Sequence, residues 1–450
     1  MVDADSQSHK GQSRYGQDTL PERSDNAESD PAATSKSFSA LPETEQALLI
    51  DRSEAASAGD SAWDFPGSPT QYSTHGIHTY LAAMIPWVAK RAIALAKPKR
   101  LLDPFCGGGA VLVESMLAGI PCAGLDINPL AVLISKVKTK RIDSRRLQSG
   151  LRTIMNSVDS YDGPVAEFSS KQEIHYWFKD YMLNPLSALR SAIMKLPDGE
   201  VKDFFRCMLS ATVRDVSLTH RNEIRLRRLE SLESKRFNPD VIEVFRRNAL
   251  EAAKRVSALP EATVQVHRGT VLSMPFADNE FSTIVCSPPY GDERNGVPYF
   301  QFAKNMLFWL GYSWEEVINE KRKTLGWTNG RKDIPQPHSA TLRKATRLIR
   351  NYTKSVIEVN AFYHDYDNAL TEMVRVTDDK IVIVIGQRVM QSTVFDNTQI
   401  TIELMANKGV KLANHYRRQL PTKRLPKMRD YGAAIDKESI LFFDLARKSM

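Results

Sequence analysis

The amino-acid sequence predicts an α/β fold built on a mostly parallel β-sheet with helical and basic insertions. Three observations support this prediction. Residues 99–139 read as strand, glycine turn, helix, second strand and helix. The apolar run Phe281–Cys286 ends at two consecutive prolines. Residues 380–387 are almost continuously β-branched, which is typical of a strand buried at the centre of a sheet.

The first of these regions has the pattern of a β-α-β unit. Residues 100–105 form a short apolar run, and three glycines at 107–109 follow it directly. The apolar residues 110–117 predict a helix packed on a sheet, and residues 122–127 predict the second strand. A parallel unit of this kind places its glycine turn and the end of its second strand at one sheet edge, where ligands bind.

The residues at that edge predict a cofactor with a ribose and an ammonium group. Asp126, at the second strand's end, follows Gly107 by 19 positions, near the spacing of about 20 expected for a carboxylate that binds a ribose diol. A dinucleotide fingerprint starting at Gly107 would need glycine where the chain has Leu112. Asp103 would repel a pyrophosphate but can pair with an ammonium group. S-adenosylmethionine carries both groups.

The segment Ser287-Pro288-Pro289-Tyr290 predicts a site for an amino group. Two consecutive prolines end the preceding strand, because each fixes φ and lacks an N–H group. The carbonyls of Ser287 and Pro288 and the Ser287 hydroxyl are then left without sheet partners, so several acceptors converge on one donor. Tyr290 offers a flat face for an unstacked base, and such stacking contributes ~1–3 kcal/mol.

Each motif taken singly has a plainer interpretation. A Pro-rich turn that closes a buried strand explains residues 287–290, and an Asp-Pro pair followed by glycines is often only a tight turn. The combination of both motifs with the acidic strand end at Asp126 favours methyl transfer to an exocyclic amino nitrogen of a nucleobase.

Three segments resemble the cofactor-binding and catalytic motifs of the amino-group DNA methyltransferases, most closely those that form N4-methylcytosine. The segments are D-P-F-C-G-G-G at 103–109, G-L-D-I-N-P at 124–129 and S-P-P-Y at 287–290. Residues 72–80 and 291–311 are also similar to the family, and the resemblance covers residues 70–140 and 265–445. It implies a Rossmann-like S-adenosylmethionine-dependent methyltransferase sheet whose last strand runs antiparallel.

The resemblance also implies roles for individual residues. Asp103 and Gly107 would hold the methionine part of S-adenosylmethionine, Asp126 the ribose, and residues 287–290 the target base. The predicted cofactor-binding residues are Asp103, Phe105, Gly107, Gly109, Asp126, Asn128, His78 and Tyr80, and the predicted catalytic residues are Ser287, Pro288, Pro289 and Tyr290.

Two places qualify the resemblance. Many relatives carry an acidic residue after the third strand, where this chain has Gly269 and Thr270, which weakens the expected contact to the adenine amino group. His75 and His78 match the family's N-terminal motif, although two histidines three positions apart also suit capping or packing.

Composition predicts a large cytoplasmic protein, associated with the nucleoid. The 450 residues suffice for one large domain with insertions or for two domains. No apolar run reaches the ~18 residues of a membrane span, and the N-terminus lacks a signal-peptide pattern. The four cysteines form no C-x-x-C pair and no Cys/His cluster, so neither a zinc site nor a disulfide framework is expected.

Charge is distributed unevenly along the chain. Residues 1–60 carry twelve Asp or Glu against five Lys or Arg, whereas the whole chain has a net charge of +8. The basic body indicates a phosphate-bearing partner, for which duplex DNA is the prediction. The predicted organisation is a disordered acidic tail at 1–60, a methyltransferase catalytic domain at 61–140 and 260–450, a helical insertion at 141–259 and a candidate DNA-recognition insertion at 312–356.

Basic residues in both insertions are candidates for DNA contacts. The helical insertion is favoured for contacts to the DNA backbone. The second insertion mixes Lys, Arg, Asn and Trp without clear periodicity and is favoured for base contacts. The candidates are Arg225, Arg227, Arg228, Arg322, Lys323, Arg331 and Lys332.

Further elements are predicted from periodicity. Helices are expected at 147–158, 177–194, 201–215, 238–257 and 359–375, and strands at 263–269 and Phe281–Cys286. Residues 398–405 and 439–445 are expected to form the closing strand pair.

The predicted function is therefore base flipping and methylation of cytosine N4 at a specific DNA sequence, with a cognate restriction enzyme as a partner that the family allows. Adenine N6 is the alternative acceptor in DNA. An RNA methyltransferase acting on a tRNA guanine N2 is the nearest rival enzyme, and a non-catalytic DNA-binding subunit is the alternative of another class.

Overall fold

The computed structural model describes residues 59–220, 226–291, 299–328, 330–350, 352–420 and 437–445. Nearly all of the predicted acidic tail and the candidate Arg225 lie outside the described residues. The strands are β1 Leu101–Asp103, β2 Cys122–Asp126, β3 Val264–Arg268, β4 Phe281–Cys286, β5 Thr377–Gly386, β6 Arg388–Met390, β7 Thr393–Phe395, β8 Lys411–Gln419 and β9 Lys437–Asp444.

In the described part of the chain, seven strands form one sheet in the order β3-β2-β1-β4-β5-β9-β8. Neighbouring strands from β3 to β5 are parallel, whereas β9 runs antiparallel to both β5 and β8. Strands β6 and β7 form a separate antiparallel pair. The predicted fold, a mostly parallel Rossmann-like sheet with an antiparallel last strand, is confirmed.

The chain order of the strands reverses between β1 and β4. Leu101 of β1 pairs with Cys122 of β2 on one side and with Thr283 of β4 on the other. In an open α/β sheet, a crevice for ligands lies outside the carboxyl ends of the strands at such a point. Asp103, Asp126 and Cys286 end the three strands that surround it.

The predicted helices at 147–158, 201–215 and 238–257 match within three residues, whereas the one predicted at 177–194 is divided into two helices and the one at 359–375 begins six residues earlier. The described helices cover the sheet. They are α1 Pro86–Ala96, α2 Ala110–Leu117, α3 Pro129–Lys138, α4 Ser144–Asp159, α5 Ile174–Trp177, α6 Asp180–Met194, α7 Glu200–Val216, α8 Ser231–Arg236, α9 Val241–Ser257, α10 Tyr299–Trp309, α11 Trp314–Arg322, α12 Ala340–Leu348, α13 Thr353–Val376 and α14 Asn397–Asn407. Among these described helices, none is long and apolar enough to cross a bilayer.

The helices between residues 144 and 257, apart from the short α8, share a hydrophobic core with α2, α3 and α10. Phe205 of α7 and Phe245 of α9 are fully buried in this core, with ring centroids 6.3 Å apart. Ile134 of α3 and Leu307 of α10 belong to the same cluster and are equally buried. These helices therefore pack on the sheet-covering helices instead of forming a separate core.

The prediction of a strand at 398–405 is wrong, because this segment lies in helix α14. Its buried residues Ile400, Thr401, Leu404 and Met405 recur with helical spacing, and Asp396 caps the helix by accepting the N–H of Gln399. The partner of β9 is instead β8, which is largely exposed and lacks the apolar pattern of a buried strand.

The second insertion is more regular than its sequence indicated. Helices α11 and α12 lie within residues 312–356. Ser313 caps α11 by accepting the N–H of Glu316, and Ser339 caps α12 by accepting the N–H of Leu342. Each helix buries only a narrow stripe of side chains, so its sequence contains few apolar residues that would have predicted it.

Candidate active site

A pocket opens at the carboxyl ends of β1, β2 and β4. It brings together most of the predicted cofactor-binding residues and part of the predicted catalytic motif. The predicted residues in its wall are Tyr80, Asp103, Phe105, Gly107, Asp126, Asn128, Ser287 and Pro289. The two motifs that are far apart in the sequence therefore meet at one pocket.

Asp103 lies at the end of β1 with only 3% of its surface exposed. Its Oδ1 accepts the N–H of Phe105 at 3.1 Å. Burial raises the pKa of the Asp103 carboxyl to about 8, and the neighbouring Asp126 adds to this rise. A buried acidic group of this kind gains its charge when a cation binds beside it, which suits the ammonium group of an amino acid.

The glycine turn after β1 has a backbone conformation that disfavours other residues. Gly107 and Gly109 have φ values of +48° and +79°. A Cβ atom at Gly109 would also lie 2.9 Å from the Ser135 hydroxyl oxygen. That hydroxyl donates to the carbonyl of Gly107 at 2.8 Å, so α3 holds the turn in place. Gly109 itself does not line the pocket but forms the N-cap of α2.

Asp126 links the glycine turn to the second strand. Its Oδ2 accepts the N–H of Gly107 at 2.9 Å, and its Oδ1 accepts the N–H of Asn128 at 2.8 Å. Burial raises the pKa of Asp126 to about 6, and these backbone donors oppose that rise. A carboxylate has about four lone-pair sites, so it can accept two ribose hydroxyls while keeping both backbone bonds.

Tyr80 and Asn128 form the side of the pocket. The Asn128 side-chain amide donates to the Tyr80 hydroxyl at 3.1 Å, while its oxygen caps α3 by accepting the N–H of Leu130. The Tyr80 ring stacks on Tyr299 of α10, with centroids 6.3 Å apart. Tyr299 also lines the pocket and was not predicted; it follows the catalytic motif but has no motif signal of its own.

His78 and His75 lie outside this pocket wall. His78 is buried, with Nδ1 2.7 Å from the carbonyl of Thr79 and Nε2 2.8 Å from the Ser210 hydroxyl on α7. Burial lowers the pKa of His78 to about 3, so the ring is neutral. His75 contacts Glu114 of α2 at 2.7 Å. The geometry thus gives both histidines packing contacts, and the predicted cofactor contact of His78 has no support in it.

The catalytic motif follows β4 directly. Ser287 and Pro289 reach the pocket, whereas Pro288 is buried. The Tyr290 ring packs against the core beneath α13, and its hydroxyl lies 3.5 Å from the Ser287 hydroxyl. Burial, and then the nearby carboxylate of Glu438, raise the pKa of Tyr290 well above its ordinary value. Tyr290 is therefore a neutral hydrogen-bond donor.

Two residues that hold this motif were missed by the sequence analysis. Glu438 of β9 accepts the Tyr290 hydroxyl at 2.9 Å, and Arg418 of β8 lies 3.5 Å from the same carboxylate. The Asn397 amide donates to the carbonyl of Tyr290 at 3.1 Å and to that of Gly386 at 2.9 Å. Glu438 directly precedes the predicted strand 439–445, whereas the assignment of 398–405 to a strand concealed the helix start at Asn397.

A second, larger cleft adjoins the pocket and shares Tyr299, Phe300, Thr324 and Leu325 with it. We call it the aromatic cleft. Besides the shared residues, its wall contains Gly291, Lys304, Trp314, Lys321, Trp327, Glu358, Phe362 and Arg388. The Lys321 ammonium lies 5.7 Å from the centre of the Trp327 ring. Aromatic rings and cationic side chains beside the pocket that Ser287 lines suit the binding of a nucleic acid strand.

The predicted DNA-binding residues of the second insertion have different surroundings. Lys323 lines the catalytic pocket and pairs with Glu320 at 2.9 Å. Arg331 pairs with the buried carboxylate of Asp365 at 3.1 Å, which gives it a structural contact. Arg322 and Lys332 are exposed.

The two described candidates of the helical insertion are also engaged locally. Arg228 donates from Nε to the carbonyl of Tyr176 at 2.8 Å and stacks over the ring of the same residue. Arg227 is exposed and lies 3.5 Å from Glu230. Neither residue lines the pocket or the aromatic cleft.

Comparisons with known proteins accord with this site. No family profile matches the chain. It is 28% identical over 422 residues to the type II methyltransferase M.MvaI of Kocuria varians, which covers 86% of this chain and 92% of that protein. A segment of 111 residues is 30% identical to the type II methyltransferase M.MjaII of Methanocaldococcus jannaschii and covers 24% of this chain and 21% of that protein.

A structural comparison pairs the chain with the rRNA methyltransferase aviRa from Streptomyces viridochromogenes. The TM-score is 0.25 and the identity 11%, with 88% of this chain and 93% of that chain covered. A score of this size carries no argument, so the fold rests on the strand order. The motifs predicted the amino-group methyltransferase family, with S-adenosylmethionine as the cofactor. The sequence relatives support this prediction, and so does the single pocket that the two motifs line.

Proposed function

We propose that this protein transfers a methyl group from S-adenosylmethionine to the exocyclic amine of a base flipped out of duplex DNA, with cytosine N4 at a specific sequence as the acceptor. One observation carries the proposal. The end of β4, with Ser287, opens into the same pocket as Asp103 and Asp126 at the ends of β1 and β2. A cofactor site and an amine-accepting site thus adjoin.

The cofactor side of the pocket binds S-adenosylmethionine through its carboxylates. Asp103 pairs with an ammonium group, and the charge of that group restores the ionised form of the buried carboxyl. Asp126 accepts the ribose hydroxyls while the N–H groups of Gly107 and Asn128 keep it oriented. When bound, S-adenosylmethionine supplies a methyl group already activated by the sulfonium.

The acceptor side prepares the amine. The lone pair of an exocyclic amine is delocalised into the base, and the nitrogen becomes a better nucleophile when acceptors hold its hydrogens. The Ser287 hydroxyl and the Pro288 carbonyl are the proposed acceptors. Placing the nitrogen in line with the methyl group at ~3–3.5 Å supplies much of the remaining rate enhancement.

The base must leave the duplex to reach this pocket, at a cost of a few kcal/mol. The rings of the aromatic cleft offset this cost by stacking, which contributes ~1–3 kcal/mol per base. Tyr290 was predicted as the stacking partner. Its ring packs against the core and lines neither the pocket nor the aromatic cleft, and its hydroxyl bonds to Glu438, so the geometry favours a role for Tyr290 in holding the Ser287 segment over one in stacking.

Mass spectrometry of nucleosides from DNA incubated with the protein and S-adenosylmethionine tests the proposal. We expect N4-methyldeoxycytidine, formed about 100-fold more slowly by the Ser287→Ala variant. Detection of N6-methyldeoxyadenosine instead would identify adenine N6 as the acceptor. Methyl groups in tRNA or rRNA but not in DNA would overturn the proposed substrate.

A partner nuclease is part of the same proposal. The type II methyltransferases to which the chain is similar support a restriction-modification context. We expect DNA treated with the protein and cofactor to resist a restriction enzyme that cuts the same recognition sequence when it is unmethylated. Unchanged cleavage after complete methylation would argue against such a pairing.

A further inference from the structure

Three arginines that the sequence analysis did not select line a concave surface within the second insertion. Arg343 and Arg347 lie on α12, Arg350 lies in the turn that follows it, and all three are exposed. We call this surface the arginine pocket. Gln336, Thr346, Thr353 and Val356 complete its wall.

The charge of the arginine pocket is not neutralised by the protein. Among the described residues, no carboxylate forms an ion pair with any of the three guanidinium groups. The surrounding segment 334–357 contains five Lys or Arg and no Asp or Glu. Side chains three or four positions apart on a helix are neighbours, so these like charges repel one another unless an anion lies between them.

The arginine pocket is built on a rigid support. Ser339, the cap of α12, donates to the Glu403 carboxylate at 2.6 Å. Gln336 donates to the Thr346 hydroxyl on α12 at 2.8 Å and to the Asn360 side chain on α13 at 3.1 Å. Leu342 is fully buried on the opposite face of α12. The arginines therefore face solvent from a helix that is fastened at both its start and its middle.

Helix α13 connects the arginine pocket to the aromatic cleft. Thr353 and Val356 in its first turn line the former, whereas Glu358 and Phe362 line the latter. From Val356 to Phe362 the helix rises about 9 Å, at about 1.5 Å per residue. That distance corresponds to roughly three steps of about 3.4 Å along a DNA strand. The arginine pocket and the aromatic cleft are therefore separated along α13 by the length of only a few nucleotides.

We infer that the arginine pocket binds the sugar-phosphate backbone of the DNA duplex whose base enters the catalytic pocket, a few nucleotides from that base. The inference rests on the proposed function and adds a surface to it. Guanidinium groups suit this role, because each offers a planar pair of donors to phosphate oxygens. Such contacts position the duplex without reading its sequence.

The test measures how the affinity for DNA depends on salt. The triple variant Arg343→Gln, Arg347→Gln, Arg350→Gln is compared with wild type by fluorescence anisotropy on a labelled duplex. Each phosphate contact contributes about 0.9 to the slope of log affinity against log salt, so we expect the slope to fall by about 2.7. The variant Arg347→Gln should lower it by about 0.9, and thermal melting should be unchanged.

The matched control removes three basic residues from an exposed face of α9, as Arg246→Gln, Arg247→Gln, Lys254→Gln. We expect the wild-type slope for this control. A wild-type slope in the arginine-pocket variant, or an equal fall in the control, would overturn the inference while DNA methylation by wild type leaves the proposed function standing. If wild type binds and methylates only RNA, the proposed function fails first, and the inference fails with it.

Discussion

The cofactor side and the acceptor side of the catalytic pocket are held in different ways. On the cofactor side, Asp126 accepts hydrogen bonds from Gly107 and Asn128, which lie 19 and 2 positions away in the chain. On the acceptor side, Tyr290 is held by Asn397 and Glu438, which lie 107 and 148 positions away. The hydrogen bonds of Asp126 therefore lie within one β-α-β unit, with Tyr80 and Tyr299 completing the pocket wall, whereas those of Tyr290 exist only after β9 has joined the sheet.

The two sides also differ in electrostatic character. The cofactor side contains two carboxyl groups with raised pKa values, Asp103 buried and Asp126 partly buried. The acceptor side continues into the aromatic cleft, with Lys304, Lys321 and Arg388 in its wall. Of these cations, Lys304 pairs with Glu173 at 3.0 Å and Arg388 is only 3% exposed, and Glu358 lies in the same wall, so the cleft has mixed charge whereas the cofactor side is acidic.

Replacing Ser287 with alanine is expected to have the largest effect. Loss of one oriented hydrogen-bonding group at a reacting atom slows methyl transfer by about 100-fold. The dissociation constant of S-adenosylmethionine should stay within about twofold of wild type, since Ser287 belongs to the acceptor side. Single-turnover rates with labelled cofactor and calorimetric titration measure the two quantities. Equal loss of cofactor binding would remove the distinction between the sides.

The converse variant is Asp126→Ala. It removes the acceptor of two backbone N–H groups and of the ribose hydroxyls, so the cofactor dissociation constant should rise by about 10- to 100-fold, from ~1–3 kcal/mol of lost hydrogen bonding. At saturating cofactor the rate should approach that of wild type. A rate that stays as low as that of Ser287→Ala at saturation would show that Asp126 serves both sides.

Cofactor affinity should also depend on pH through Asp103. The pKa of this carboxyl is raised to about 8, and an ammonium partner lowers it again, so binding releases a proton from Asp103 and weakens as the pH falls below about 8. We expect about tenfold weaker binding at pH 6.5 than at pH 8. Titration calorimetry at several pH values measures this, and Asp103→Asn should flatten the profile. A profile with the same slope in that variant would assign the titration to another group.

The smallest effect is expected for Glu438→Gln. The amide can still accept the Tyr290 hydroxyl, but Arg418, whose side chain is 1% exposed, loses its counter-charge. The free energy of unfolding should fall by about 1–3 kcal/mol, and methyl transfer by a few-fold, with cofactor affinity unchanged. Thermal melting and single-turnover rates check this. The exposed Asp444→Asn on the same strand is the control, and an equal loss there would contradict a specific role for Glu438.

Much of the sheet was predictable because its strands carry strong local signals. The runs at 122–127 and Phe281–Cys286 are apolar, compact and bounded by turn residues, and both were placed within one residue. Of the predicted closing pair, the strand at 439–445 corresponds to β9, whereas the strand at 398–405 was wrong. Strand β8 is exposed along most of its length, so no apolar pattern distinguished it, and the β-branched residues of α14 favoured a strand there.

The residues of the candidate site also divide into those with a local sequence pattern and those without one. Asp103, Gly107 and Asp126, which the sequence predicted to bind the cofactor, line the pocket, because a β-α-β unit places its turn and strand ends together. Tyr299, Asn397 and Glu438 were missed because none belongs to a local pattern. Arg331 had the composition of a DNA contact but pairs with Asp365, since a charge run does not reveal which of its members find partners.

By itself, the sequence determined where the apolar segments of the parallel strands lie along the chain. It also determined the glycine turn, the acidic strand end and the chemistry of the S-P-P-Y segment. Each depends on neighbours within a few dozen residues, where backbone geometry limits the outcomes. Only the tertiary structure decided which long-range partners hold Tyr290, which arginines remain unneutralised and that the arginine pocket and the aromatic cleft lie along one helix. Those relations arise from packing between distant segments, and no local physical rule encodes them.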